Sequence, residues 1–148
     1  MTLLRPTAGR HVFVCGALAL TLLGLAGAVR AAQPFPFDQM LMLDIAPMRP
    51  IKRVPLLTVA KSGEATIGLW CKTVRGRVEL SDSAIRIEPG PLPDALPQYM
   101  IDGQCSDARL QADQDTLAAL SQVTGWSARG DALVLSGPTT FRFRLSTN

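Results

Sequence analysis

The sequence predicts a mainly β fold of the α+β type: an antiparallel meander sheet or open barrel with one helix near its C-terminal third. Three observations point there. Apolar and polar residues alternate strictly through Val74-Arg-Gly-Arg-Val-Glu-Leu80 and again through Ile85-Arg-Ile-Glu88, and a period of two with one polar face marks a strand half buried against a core. Short apolar runs are separated by turn residues at Lys61-Ser-Gly-Glu64, Ser81-Asp-Ser83, Arg129-Gly-Asp131 and Ser136-Gly-Pro-Thr139, which join neighbouring strands as hairpins. Only one stretch, 106–124, has helical spacing, so the strand–helix–strand rhythm of a parallel sheet is absent.

The N-terminal 31 residues have a different character. Arg5 and Arg10 form a positive opening, Val12 to Val29 is an uncharged run of 18 residues rich in Ala, Leu, Val and Gly, and Val29-Arg30-Ala31 supplies small residues at the −3 and −1 positions of a cleavage site. This is the pattern of a secretory signal, with cleavage expected after Ala31 and Ala32 as the second choice. The competing reading is an uncleaved anchor, for which 18 residues lie at the short end of spanning length. The predicted organisation is therefore a signal over 1–31, an extended proline-containing lead-in with a first strand over 32–53, and a β domain over 54–148. The expected location is periplasmic, with no membrane span after cleavage.

That cut changes the chemistry. Of the 148 residues, 117 remain; Arg5, Arg10 and Arg30 leave while all 12 acidic residues stay, so the mature charge is zero. The basic character of the whole chain belongs to the signal and gives no reason to expect nucleic acid. His11 is the only histidine, so the mature part has no imidazole for a Ser-His-Asp or Cys-His arrangement or as a metal ligand. Cys15 leaves as well, and Cys71 and Cys105 remain as an even pair. In an oxidising compartment they should join, closing a loop of 34 positions worth on the order of 3–4 kcal/mol by chain entropy. A reactive or metal-binding thiol pair is the alternative, but CxxC spacing and histidine are both missing.

Along the mature chain, Gln33-Pro-Phe-Pro-Phe37 is a stiff extended lead-in, because proline fixes φ and restricts the residue before it. Met40-Leu-Met-Leu43 fits a first strand, and Pro47, Pro50 and Pro55 make the next stretch a connection. Leu56 to Val59 and Ala65 to Trp70 read as a hairpin in which Gly63 takes positive φ. The two alternating strands follow, then a proline-rich loop from Pro89 to Pro97 and a short strand at Tyr99-Met-Ile101. Ser106 is placed to cap a helix, with Asp107 in its first turn. Leu110, Leu117, Leu120 and Val123 make its apolar stripe, and Gly125 ends it. Trp126 to Leu135 is a further hairpin, and Phe141-Arg-Phe-Arg-Leu145 is a last strand with Phe141, Phe143 and Leu145 inward.

From Cys71 onward the order of features is specific. A cysteine near a strand end is followed by hairpins, a second cysteine at the mouth of a helix, Thr116-Leu-Ala-Ala-Leu-Ser-Gln-Val-Thr124, Trp126, Gly130-Asp131-Ala-Leu-Val-Leu135 and a Phe-rich strand. This resembles the META domain, or HslJ-like, family of bacterial envelope proteins, best over 105–145 and more weakly back to about residue 54. Leu69-Trp70-Cys71-Lys72 stands where the family has Gly-Cys-Asn, and Met100-Ile-Asp-Gly-Gln-Cys105 stretches its Met-x-Cys, so the chain reads as a divergent member. The resemblance implies a β-rich, partly wrapped sheet or open barrel with a helix across it, an envelope location and a link to stress or drug tolerance. It brings no catalytic residue.

Arg75, Arg77, Arg86, Arg142 and Arg144 all project from polar strand faces. If their strands are neighbours they form a partner surface for an anionic lipid head group or cell-wall polymer; the plainer reading is a solvated face balanced by Glu79 and Glu88. Asp107, Asp113 and Asp115 read as a polar helix face, because residues two apart do not face each other on a helix. Trp70 and Trp126 are expected in the core near the cysteine pair, and the 89–97 loop as a spacer or docking segment. The functional expectation is a monomeric, non-enzymatic binding or stress-tolerance module with no catalytic, cofactor or metal residues, acting on an envelope protein or a cell-wall or lipid component. A carboxylate-based cell-wall hydrolase and an inhibitor of a lytic enzyme are the alternatives.

Overall fold

Eight strands and one helix account for the fold in a computed structural model, which describes residues 33–48, 53–95 and 105–146. The strands are β1 (Leu41–Leu43), β2 (Leu56–Val59), β3 (Glu64–Gly68), β4 (Thr73–Leu80), β5 (Ile85–Pro89), β6 (Gly125–Arg129), β7 (Ala132–Ser136) and β8 (Phe141–Leu145), and helix α1 (Asp107–Leu120) lies between β5 and β6. The expected strand at 99–101, Leu96 and Pro97 of the proline-rich loop, and the segment read as a signal lie outside the described residues.

All eight strands form one antiparallel sheet in the order β5-β4-β3-β2-β1-β8-β7-β6. Neighbouring strands in the sheet are neighbours in sequence except at one place, where β8 returns to pair with β1 through Leu41↔Leu145 and Leu43↔Phe143. The remaining seam, between β5 and β6, is bridged at Ala84↔Gly125, with the Ile85 amide donating to the Thr124 carbonyl at 3.1 Å and the Trp126 amide to that of Ser83 at 2.9 Å. The result is a nearly closed eight-stranded barrel, the mainly β fold with a single C-terminal helix that the alternation predicts.

The period of two explains what fills it. Leu41, Leu43, Leu57, Val59, Ile67, Val74, Val78, Ile85, Ile87, Leu133, Leu135, Phe141 and Phe143 are all buried in one cluster, while Arg75, Arg77, Glu79, Arg86, Glu88, Arg142 and Arg144 between them are exposed. Burying each large apolar side chain contributes about 1.5–3 kcal/mol, and an eight-stranded barrel has an interior just wide enough for such side chains to fill. The β2–β3 turn requires glycine: Gly63 has φ 86° and its hydrogens lie against the Val78 carbonyl, where a Cβ would come to 2.8 Å.

Local boundaries shift at the helix. Ser106 occupies the N-cap with extended backbone, but its carbonyl rather than its hydroxyl makes the cap contacts, accepting from the Arg109 and Leu110 amides at 2.9 and 3.0 Å. The helix stops at Leu120, short of the expected Thr124, and Gly125 opens β6 instead of closing α1. Among the described residues no helix is long and apolar enough to cross a membrane.

Candidate binding site

The antiparallel meander sorts the connections onto two ends of the barrel. At one end lie the β1–β2 connection, the β3–β4 turn and helix α1; at the other lie the β2–β3, β4–β5 and β6–β7 turns, the end of β8 and the lead-in that precedes β1.

The first end is locked. The deepest residues of α1 are Arg109, Asp113 and Leu120, with Leu117 partly buried between them. Spacings of 4, 4 and 3 put all four on one stripe, and its N-terminal half is charged. The Asp113 carboxylate, 1% exposed, accepts from the Cys71 amide at 3.1 and 3.2 Å and from the Lys72 amide at 2.9 Å. It thereby satisfies backbone donors of the β3–β4 turn that burial would otherwise strand. Burial pushes its pKa above the ordinary 3.8, while the amides of Cys71, Lys72 and Trp70 and the charge of Arg53 hold it back. Arg109, fully buried, donates from Nη2 to the Met48 carbonyl of the β1–β2 connection at 2.8 Å. One turn before Arg109, Cys105 sits at disulfide distance from Cys71, with Cα atoms 5.8 Å apart. The helix is thus tied to two separate connections by a carboxylate, a guanidinium and a cysteine pair. Asp113 does not belong to a solvated polar face, contrary to the expectation for the three aspartates; Asp107 and Asp115 do. Its two oxygens are spent on backbone N–H groups, which leaves them unsuited to acid–base chemistry on a substrate.

The second end is strapped rather than locked. Phe35 of the lead-in is buried, with its ring centroid 5.0 Å from Phe37 and 5.2 Å, edge to face, from Trp126. The strap joins β1 at Asp38, which holds a left-handed φ of 60° and donates its amide to the Val59 carbonyl at 2.8 Å. Beneath and beside it is an open cavity of about 420 Å³. Its apolar wall comes from Phe35, Phe37, Ala128, Leu133 and Leu145, and its polar side chains are those of Gln33, Gln39, Lys61 and Asp131. Lys61 rides on the β2–β3 turn and Asp131 on the β6–β7 turn, and both are exposed. A concave, mostly apolar wall with a few polar groups at its margin is the general form of a small-ligand site.

The predicted arginine surface falls into two groups. Arg75 and Arg77 on β4 and Arg86 on β5 lie together, interleaved with acids: Arg77 is opposite Glu88, Arg86 opposite Glu79, and Arg86 Nη2 is 2.8 Å from Glu88 Oε1. Arg142 and Arg144 stand on β8, on the other side of the strand order, and both reach Asp44 Oδ2, at 3.4 and 2.9 Å. The condition that would make one anionic-partner surface of all five, neighbouring strands, is not met. Trp70 is buried beside Cys71 as expected, whereas Trp126 lies at the β5–β6 seam, donating from Nε1 to the Ser81 carbonyl at 3.0 Å. The described part of the proline-rich loop is held at Pro93, whose carbonyl accepts from Lys72 Nζ at 2.6 Å. Among the described residues no group of three or more His, Cys, Asp or Glu side chains is placed to hold a metal ion.

No family model and no curated protein matches the chain. Among solved structures it is similar to an NMR structure of a protein from Burkholderia xenovorans, 21% identical over 82% of this chain and 97% of that one, with a TM-score of 0.52. It is also similar to a second NMR structure, 18% identical over 72% of this chain and 88% of that one, with a TM-score of 0.48. At this identity the first likeness speaks for the fold alone.

Proposed function

We propose that the chain is an exported, non-enzymatic binding module of the bacterial envelope, a divergent META or HslJ-like domain whose working surface is the strapped end of the barrel. The observation that carries this reading is the division of labour between the two ends. The buried carboxylate, the buried guanidinium and the cysteine pair all serve to fix α1, and the open cavity with uncommitted polar side chains lies at the opposite end. A rigid scaffold with a preformed concavity suits recognition, because little ordering has to accompany binding. Export is supported by the N-terminal pattern and by two cysteines positioned to join in an oxidising compartment.

The test expresses the full chain in a Gram-negative host and maps the envelope fraction by non-reducing mass spectrometry, with a photo-crosslinking residue at Gln39 or, as control, at Arg75. The expected result is a mature protein beginning at Ala32, Cys71 joined to Cys105, and an envelope molecule crosslinked from position 39 but not from 75. Cytoplasmic retention with free thiols defeats the export reading, and equal crosslinking from both positions defeats the placement of the site.

A further inference from the structure

The cavity at the strapped end carries both signs of charge without pairing them. Lys61 and Asp131 line the same 420 Å³ space from two different turns, yet neither side chain takes part in an ion pair or side-chain hydrogen bond among the described residues. Arg86 pairs with Glu88, and Arg142 and Arg144 with Asp44, whereas Arg75, Arg77 and Glu79 stand exposed on open strand faces without an ion pair among the described residues. Lys61 and Asp131 differ from these in lining a cavity. An ammonium and a carboxylate held apart at the margin of an apolar wall form a pattern with a complement. That complement is a head carrying an anionic group for Lys61 and a cationic or hydrogen-bond-donating group for Asp131, joined to an apolar tail that lies against Phe35, Phe37, Leu133 and Leu145.

From this geometry we propose that the strapped end binds a single-chain zwitterionic amphiphile, of the phosphoethanolamine monoacyl type. The proposal rests on the binding-module reading and specifies its ligand. The volume lies within the ~300–1,000 Å³ span of small-molecule sites. The wall is apolar where a chain would lie, and transfer of that chain from water supplies most of the affinity. The two side chains set selectivity rather than strength, since exposed ion pairs are worth little in water. Phe35 connects the site to a reporter: its ring meets Trp126 edge to face at 5.2 Å, so a chain lying against Phe35 alters the surroundings of the Trp126 indole N–H, while Trp70, buried beside Cys71 at the other end, stays unaffected.

The experiment uses protein purified as the bacterial host processes it. Lauroyl lysophosphatidylethanolamine, lauric acid and dodecylammonium are titrated below their critical micelle concentrations, by calorimetry and by the two indole N–H resonances in a 15N-labelled sample. The expected result is tightest binding of the zwitterion, with a shift at Trp126 and none at Trp70. Each single-site variant, Lys61→Gln and Asp131→Asn, should weaken the zwitterion about two- to fivefold, the yield of one exposed ion pair, with unchanged thermal unfolding because both positions are exposed. Lys61→Gln alone weakening the probes, with lauric acid bound as well as the zwitterion, replaces the zwitterion by a plain anionic amphiphile and overturns the assignment. Equal binding of all three probes, or affinities indifferent to both variants, also overturns it. Absence of binding by any probe while position 39 still crosslinks to an envelope molecule removes this ligand class and leaves the binding-module reading standing; absence of both removes the two together.

Discussion

Replacing Asp113 with alanine tests whether α1 is held by its carboxylate or merely rests on the barrel. The side chain satisfies two backbone donors, the buried amide of Cys71 and the partly buried amide of Lys72, at 3.1 and 2.9 Å. A buried donor stripped of its partner costs roughly 1–3 kcal/mol. Two such donors set the gross loss, and relief from burying a carboxylate, visible in its raised pKa, returns a part of it. The net expectation at neutral pH is a loss of about 2–4 kcal/mol, a large fraction of the ~5–15 kcal/mol that holds a small domain folded. Urea unfolding followed by far-UV circular dichroism measures it, with a shared m value certifying that the unfolded states compare. Asp107→Ala and Asp115→Ala, on the exposed face, serve as controls and stay within about 1 kcal/mol of the parent, the first losing a favourable place in the first turn and the second an exposed hydrogen bond from Gln111. If Asp113→Ala is as mild as those controls, the carboxylate is not the lock and the account of the helix end is wrong.

The same group makes stability depend on pH. Its pKa is raised in the folded state from an unfolded value near 3.8, so the native protein binds this proton more tightly than the unfolded chain. Its contribution is therefore complete below pH 3.8 and disappears as the pH climbs through the raised folded value. The melting temperature of the parent relative to Asp113→Asn should accordingly fall as the pH rises from about 4 toward neutral, and a difference that is flat or rising refutes the direction. Joint replacement of Cys71 and Cys105 by serine should cost on the order of 3–4 kcal/mol in denaturant unfolding and speed hydrogen exchange at the first turn of α1, and unchanged exchange there shows that the cysteines do not anchor the helix. Two glycine variants separate strain from crowding. Gly63→Ala meets both a φ of 86° and the Val78 carbonyl, whereas Gly130→Ala meets a φ of 61° with open space around it. The second should cost about 1–2 kcal/mol and the first clearly more, and equal melting temperatures contradict the contact at Val78.

The barrel was legible because its signal is local. Alternation through β4, β5 and β8 assigns inside and outside residue by residue, and the turn chemistry at Gly63 and Gly130 joins the strands. The helix was legible as an element but not in its orientation. The apolar stripe drawn through Leu110, Leu117, Leu120 and Val123 treats charge as a mark of exposure, whereas Arg109 and Asp113 are among its most buried side chains. Their partners, the Met48 carbonyl and the Cys71 and Lys72 amides, lie 61, 42 and 41 positions away, a relation no local period contains. One sign was present: Arg109, Asp113, Leu117 and Leu120 share a single helical stripe. The cavity was not foreseen. Its lining comes from the lead-in, two turns and the ends of three strands, each ordinary on its own line of sequence. The five arginines failed as one surface for a related reason, since facing outward on a strand says nothing about which strands are neighbours.

The pairing of β1 with β8 has a consequence for the order of events during synthesis. Leu41 pairs in register with Leu145, so the ring cannot close until β8 is available. Hairpins β2–β3–β4–β5 can form early from nearby partners, but β1 keeps one edge bare until β8 arrives, and contacts between distant parts of a chain make folding slow. A ribosome that makes the polypeptide from its N-terminus therefore holds an unclosed barrel for as long as any of β8 is still inside it.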